Sequence, residues 1–124
     1  MSKVIAVDFD GTCVSNNFPE IGETVPGCLE VLQKLRQKGH KLILLTIRSE
    51  EKLKKAIEWF DKNGIKLWGI NNNPQQKSWS SSRKVYANAY IDDLNIGCPL
   101  FKFKGKDAVN WKEIEKELTS KGYL

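Results

Sequence analysis

The sequence has few of the residues that small metal-linked or disulfide-linked proteins rely on: one histidine and three cysteines among 124 residues. Cys13, Cys28 and Cys98 are odd in number, and their spacing matches no zinc motif. These counts argue against a disulfide framework and a zinc site, and they favour reduced thiols. His40 follows Gly39, where we expect a helix to end, and we assign it no catalytic role.

Long apolar runs are also missing, as is a charged-then-apolar leader. We therefore expect a soluble, cytoplasmic protein without membrane contact. The length fits one domain spanning residues 1–124, because a chain of this size buries roughly two thirds of its unfolded surface around one core. The net charge of +5 permits attraction to polyanions, but Lys and Glu alternate as on solvated helix faces, so we assign most of this charge to solubility.

The most informative stretch runs from Val4 to Thr12. Its four leading apolar residues, Val4-Ile5-Ala6-Val7, predict a strand buried on both faces, as in the centre of a parallel sheet. Asp8 and Asp10 follow two residues apart, so in extended geometry both side chains point the same way and Phe9 turns to the core. Two neighbouring carboxylates repel each other unless a cation or a shared proton holds them. This strand end is therefore a candidate ligand site.

Helical and strand patterns alternate along the rest of the chain, with Gly, Asn and Pro marking their ends. We predict, in order, a helix from Pro26 to Gly39, a strand over residues 41–47, a helix capped by Ser49 and closed by Asn63-Gly64, strands over residues 65–70 and 85–91, a short edge strand over residues 98–103, and a helix that starts with an Asn110–Glu113 capping box and ends at Gly122.

This alternation predicts a Rossmann-like three-layer α/β/α sandwich with a mostly parallel sheet and helices on both faces. If the chain leaves the first strand to one side and returns to its other side for the fourth, the strand order reverses there and a crevice opens. Asp8, Asp10, Thr46 and Asp92 would then meet at the carboxyl edge of the sheet.

The segment from Asn71 to Arg83 is rich in Asn, Gln and Ser and has Trp79 in its middle. Irregular loops of this length are uncommon in so small a domain. Two interpretations stay open, a mobile segment and a lid over the site. Trp79 could stack on a base if the substrate were a nucleic acid, although a single loop tryptophan more often serves packing.

The run Asp8-Phe9-Asp10-Gly11-Thr12, Thr46 after the next strand, a downstream lysine and the pair Asp92-Asp93 resemble the four motifs of the haloacid dehalogenase superfamily of phosphohydrolases. The resemblance extends from Val4 to Asp93 and is strongest to small members without a cap domain. It implies a HAD-like fold in which Asp8 attacks phosphorus, Asp10 acts as acid and then base, and Thr46 holds a phosphoryl oxygen. It also implies a charge-neutralising lysine and a Mg²⁺ site formed by Asp8, the Asp10 carbonyl and Asp92.

The residue types themselves can perform this chemistry. A carboxylate can form an acyl phosphate when the phosphoryl charge is screened, and Mg²⁺ prefers hard oxygen ligands. Gly11 and Thr12 can offer backbone N–H groups to phosphoryl oxygens, and Arg48 can bind phosphate or balance the acids. Lys84 is the first candidate for the lysine and Lys77 the second. Asp93 is placed outside the ligand set.

No segment is long enough for a full cap domain, either in residues 13–24 or in residues 47–83. An open crevice suits a macromolecular phosphate, or a small one when a neighbouring subunit of an oligomer or the 71–83 loop covers it. We therefore predict a magnesium-dependent phosphomonoester hydrolase with an aspartyl-phosphate intermediate and an unspecified phosphorylated substrate. Two alternatives stay open: a nucleic-acid-end or nucleotide phosphatase, and a catalytically silent phosphate- or protein-binding module.

Overall fold

The elements of the fold follow from the computed structural model, which describes residues 1–124. The helices and strands are β1 (Val4–Val7), α1 (Cys28–Gln37), β2 (Lys41–Leu44), α2 (Glu50–Lys62), β3 (Gly69–Ile70), β4 (Ala89–Ile91), β5 (Leu100–Phe103), β6 (Lys106–Val109) and α3 (Trp111–Ser120). No helix combines the length and the apolar character that a membrane crossing requires.

Strands β1 to β4 form one parallel sheet in the order β3-β2-β1-β4. This confirms that β1 is central and that the strand order reverses there. Val7 is paired with Leu44 on one side and with Ile91 on the other. The residues that follow these three strands therefore meet at one edge of the sheet, where open α/β folds bind ligands.

The three helices all pack on the same face of this sheet. Their buried residues share one apolar core with Ile5 and Val7 of β1 and with Leu42 and Leu44 of β2. Side chains alternate between the faces of a strand, so Ala6 and Ile43 point to the other face, where they form a small separate cluster with Ala87. The prediction of helices on both faces is wrong.

The second face is covered by the connection from β3 to β4, residues 71–88, which contains only a short 3₁₀ turn at Gln76–Ser78. A right-handed crossover from β3 to β4 passes over the face opposite α1 and α2. Residues 71–88 form no α-helix there, because they lack an apolar stripe at helical spacing. Buried Gln76 fixes the segment instead, accepting from the Tyr86 N–H at 2.9 Å and donating to the Lys84 carbonyl at 2.7 Å. The segment of residues 71–88 thus covers the second face of the sheet.

Several predicted boundaries change. Strands β3 and β4 are shorter than expected, and α1 begins at Cys28 rather than near Pro26. The expected edge strand over residues 98–103 does not join the main sheet, because β5 and β6 pair with each other as an antiparallel hairpin. Lys104 and Gly105 at its tip both have positive φ, as a tight two-residue turn requires.

The two predicted helix caps differ in outcome. Asn110 accepts a hydrogen bond from the Glu113 N–H at 3.3 Å, which confirms the first half of the capping box. The Glu113 carboxylate instead pairs with Lys116. Ser49 stands at the N-cap of α2 but makes no side-chain capping bond.

His40 is buried and joins the two ends of the chain. Its Nδ1 accepts from the Lys3 N–H at 3.0 Å, so the ring proton sits on Nε2, which donates to the Tyr123 carbonyl at 2.7 Å. Both ring nitrogens are thereby engaged in contacts that stabilise the fold.

Candidate functional site

Asp8 is held at the carboxyl edge of the sheet by the end of the β1–β4 ladder. Its N–H donates to the Ile91 carbonyl at 2.9 Å, so the next residue of the neighbouring chain segment, Asp92, lies beside it. One carboxylate oxygen each from Asp8, Asp92 and Asp93 lie within 4.8 Å of one another. We refer to these three residues as the acidic cluster.

Thr12 is buried and fixes two members of the acidic cluster. Its hydroxyl donates to Asp8 Oδ2 at 2.9 Å and accepts from the Asp93 N–H at 3.2 Å. The carbonyl of Thr12 in turn accepts from the Trp111 indole N–H at 2.7 Å, across 99 residues of sequence. The sequence does not reveal this support, because an apolar pattern does not report what the indole N–H binds.

Burial and mutual repulsion raise the pKa values of two carboxyl groups in the acidic cluster. Burial, followed by the charge of Asp92, raises the pKa of Asp8 from 3.8 to about 8. Burial also raises the pKa of Asp93. Three carboxylates so arranged are stabilised by a proton or a cation, and their hard oxygen atoms are the donor type that Mg²⁺ prefers. The residues present therefore fit a divalent-cation site.

Gly11 is required by the close approach of Asp93. Its φ is +83°, and a Cβ built on it would stand 2.3 Å from Asp93 Oδ2. The turn after β1 can bring Asp93 next to Asp8 only if this position carries no side chain.

The free backbone groups of this turn differ from the predicted ones. The N–H groups of Gly11 and Thr12, expected to bind a phosphoryl group, donate within the turn to the carbonyls of Val14 and Phe9. The N–H groups of Phe9 and Asp10 instead have no protein acceptor, and the Asp10 carbonyl has no protein donor. The two Asp10 groups belong to a partly exposed residue close to Asp8 and are open to a ligand, whereas Phe9 is fully buried. No residue-type signal marks them, since backbone pairing depends on the turn geometry.

The Asp10 side chain is not a member of the acidic cluster and is paired with Arg48. Nε of Arg48 donates to Asp10 Oδ2 at 2.8 Å, and Nη2 donates to Oδ1 at 2.7 Å. Phe9 between the two acids is buried in the core, as predicted, and a cation 38 residues away in sequence engages both oxygens of Asp10.

Arg48 has no N–H group left for a phosphate. Its side chain is buried, and its remaining donors bind the carbonyls of Pro19, Glu20 and Lys52 at 2.9 to 3.2 Å. The guanidinium also lies 5.1 Å from the centre of the Phe9 ring. Of the two roles proposed from the sequence, the structure places Arg48 in charge balance and not in substrate binding.

β2 is shorter than the predicted strand over residues 41–47, so Thr46 lies two residues beyond its end, in a loop held by two hydrogen bonds. Its N–H donates to Asn71 Oδ1 at 2.8 Å, and its hydroxyl oxygen accepts from the Arg48 N–H at 3.1 Å. The hydroxyl hydrogen is not donated to any protein atom, so it can still serve an anion.

A cavity of about 520 Å³ opens beside the acidic cluster, with Asp8, Asp92 and Lys84 in its lining. Lys77 lies instead in a neighbouring polar groove of about 900 Å³ that contains no member of the cluster. Neither lysine forms an ion pair. Position therefore favours Lys84 over Lys77 as the cation of the site.

Trp79 is 63% exposed and packs edge-on against Tyr86, with the ring centres 5.6 Å apart. It does not line the cavity beside Asp8. This arrangement supports the packing interpretation of Trp79.

This chain is similar to a conserved protein of known structure. Neither a protein-family model nor a curated protein matches the chain. A solved structure, described as a conserved protein coded by a locus from Bacteroides thetaiotaomicron, matches with a TM-score of 0.82 and 36% sequence identity, over 98% of this chain and 93% of that one. This chain belongs to the family of that conserved protein. The description of this Bacteroides relative names no activity, so a function for the family has to be argued from the site.

Proposed function

We propose that the protein is a magnesium-dependent phosphomonoester hydrolase that works through an aspartyl-phosphate intermediate. The observation that carries the proposal is the acidic cluster at the end of the central strand, which opens onto a cavity containing an unpaired lysine, Lys84. A catalytically silent module would not need a carboxylate crowded in this way beside a free backbone donor.

Asp8 is the proposed nucleophile. Its Oδ2 accepts from Thr12, which orients the carboxylate and leaves the other oxygen to attack phosphorus. An oxygen–phosphorus bond forms to Asp8 as the bond to the leaving oxygen breaks, and the leaving oxygen takes a proton. Water then attacks the phosphorus of the acyl phosphate, which releases inorganic phosphate and regenerates the carboxylate.

Several groups of the chain can stabilise the negative charge on the transferred phosphoryl group. The unpaired N–H of Asp10, the Thr46 hydroxyl and the Lys84 ammonium can donate to its oxygens. Asp8, Asp92 and Asp93 or the Asp10 carbonyl would hold Mg²⁺, which supplies charge neutralisation when bound.

Asp10 is the proposed proton donor and acceptor, and Arg48 sets the condition under which it can act. Both Asp10 oxygens accept from the guanidinium, an arrangement that suits the unprotonated carboxylate. To hand a proton to the leaving oxygen, at least one Asp10 oxygen has to separate from its guanidinium partner.

The test is hydrolysis of 4-nitrophenyl phosphate with Mg²⁺ by the native chain, Asp8→Asn and the exposed-residue control Asp107→Asn. We expect turnover in the native chain and the control and essentially none in Asp8→Asn, with acid-quenched phosphate label on Asp8 by peptide mass. Label on a serine or histidine, or undiminished turnover in Asp8→Asn, would remove Asp8 as nucleophile. A phosphorylated oligonucleotide assayed across a salt series separates the nucleic-acid alternative, whose activity would fall steeply with salt.

A further inference from the structure

The cavity beside Asp8 exists because the second face of the sheet lacks a helix. Alternation along the strands points Ala6, Asp8, Leu45 and Tyr90 to this face, and all four line the cavity. Its volume of about 520 Å³ lies within the roughly 300–1,000 Å³ typical of ligand pockets. A phosphoryl group at Asp8 would fill one end and leave room for a leaving group.

The part of the cavity left for the leaving group has an apolar floor formed by Ala6, Leu45, Val85 and the Tyr90 ring. Ala6, Leu45 and Val85 offer no side-chain hydrogen-bonding groups. The Tyr90 hydroxyl is already used, since it donates to the Val85 carbonyl at 2.6 Å and accepts from the Ala87 N–H at 3.0 Å. Tyr90 therefore presents a fixed aromatic ring. Sugar hydroxyls against this floor would lose hydrogen bonds to water without replacement, whereas a flat apolar group would pack well.

The lining of the cavity also contains two cations. Lys84 and Arg83 both line it, both are exposed, and neither forms an ion pair. Arg83 also lines the neighbouring polar groove, so it stands where the two spaces meet. With Lys84 serving the transferred phosphoryl group, Arg83 is left to pair with a second anionic group, which its planar fork can bind at two points.

We propose that the substrate is a phosphate monoester with a flat apolar leaving group that carries a second anionic group, such as a carboxylate, bound by Arg83. This inference rests on the proposed function, because Asp8 fixes the phosphoryl end. The leaving group packs on the Tyr90 ring and the aliphatic floor, and the second charge reaches Arg83.

Binding of phosphonates, which cannot be hydrolysed, tests the inference without turnover. Calorimetry with Mg²⁺ would compare methylphosphonate, phenylphosphonate and 4-carboxyphenylphosphonate. We expect the phenyl compound to bind the native chain more tightly than the methyl compound. We expect the carboxyl group to add about a tenfold gain that Arg83→Gln removes, because one charge-assisted pair is typically of this size.

Lys55→Gln, on the exposed face of α2, is the matched control for the loss of one positive charge and should keep the tenfold gain. Equal affinity for phenylphosphonate and methylphosphonate would refute the proposal that the apolar floor binds the leaving group. The proposed role of Arg83 would be refuted if the native chain showed no preference for the carboxyl compound, or if Arg83→Gln kept that preference. Turnover of the corresponding phosphate esters is scored separately. If the phosphonates bind as expected but the esters are not hydrolysed, the hydrolase function is refuted and the proposed ligand class is supported. If the esters are hydrolysed but the phosphonates show no such preference, the hydrolase function is supported and the proposed ligand class is refuted.

Discussion

Arg48 and Asp10 form a buried two-point ion pair, with nitrogen–oxygen distances of 2.8 and 2.7 Å. The same guanidinium binds the carbonyls of Pro19 and Glu20, so the turn after β1 and the following loop are joined through one side chain. Asp10, a site residue, is thus paired with Arg48, which stabilises the fold. The contribution of this pair to stability and the role of Asp10 in catalysis can be tested with separate variants.

Arg48→Ala should lower the free energy of unfolding by about 3–5 kcal/mol, because it leaves Asp10 and three carbonyls without their donor. Urea denaturation measures the change. Lys34→Ala breaks the exposed pair with Glu115 and should cost no more than about 1 kcal/mol. Equal small losses in both variants would show that the buried pair does not stabilise the fold.

Mg²⁺ should raise the melting temperature of the native chain, because it binds only the folded acidic cluster. Asp92→Ala should reduce this gain, while in chelator the variant should be no less stable, since one repelling charge is gone. Thermal unfolding with and without Mg²⁺ measures both effects, and exposed Asp61→Ala is the control. An Asp92→Ala chain that binds Mg²⁺ as tightly as the native one would contradict the site.

Gly11→Ala should reduce the gain in melting temperature from Mg²⁺, because its Cβ would displace Asp93 from the acidic cluster. Gly39→Ala is a matched control: its φ is +87°, but no atom outside the adjacent residues lies within 4 Å of the added Cβ. Both variants carry the left-handed strain of about 1–2 kcal/mol, but only Gly11→Ala disturbs the cluster. Calorimetric Mg²⁺ titration of the two folded variants distinguishes them, and equal affinity would refute the steric argument.

The raised pKa of Asp8 predicts a pH dependence in the metal-free protein. Between the unfolded value of 3.8 and the folded value of about 8, the native state holds the extra proton, so stability falls as the pH rises through this window. Asp8→Asn has no such proton. In chelator, its melting temperature relative to the native chain should therefore increase from pH 5 to pH 8. A constant difference would mean that Asp8 titrates normally.

Asp10→Asn should slow alkyl phosphates more than aryl phosphates with good leaving groups, because only the former need protonation of the leaving oxygen. General acid catalysis contributes about 10²–10⁴-fold, which bounds the alkyl loss. Steady-state rates on both ester types measure it, after thermal unfolding has confirmed that the variant is folded. Equal losses on both esters would assign the proton to another group.

The sequence by itself determined the parts of this protein that depend on local pattern. The apolar run Val4–Val7 and the acids after it located the central strand and the carboxyl edge, and the alternation of strands and helices predicted a parallel sheet. These features are readable because a buried strand and an amphipathic helix each impose a period on adjacent residues.

Only the tertiary structure decided how the site is completed. The partner of Asp10 lies 38 residues away and the support of Thr12 lies 99 residues away, so neither contact leaves a local periodic signal. The choice of Lys84 over Lys77 likewise came from a cavity that exists because a polar segment, and not a helix, covers the second face. Packing and turn geometry select such partners, since each polar group takes whichever donor or acceptor the folded chain brings within reach.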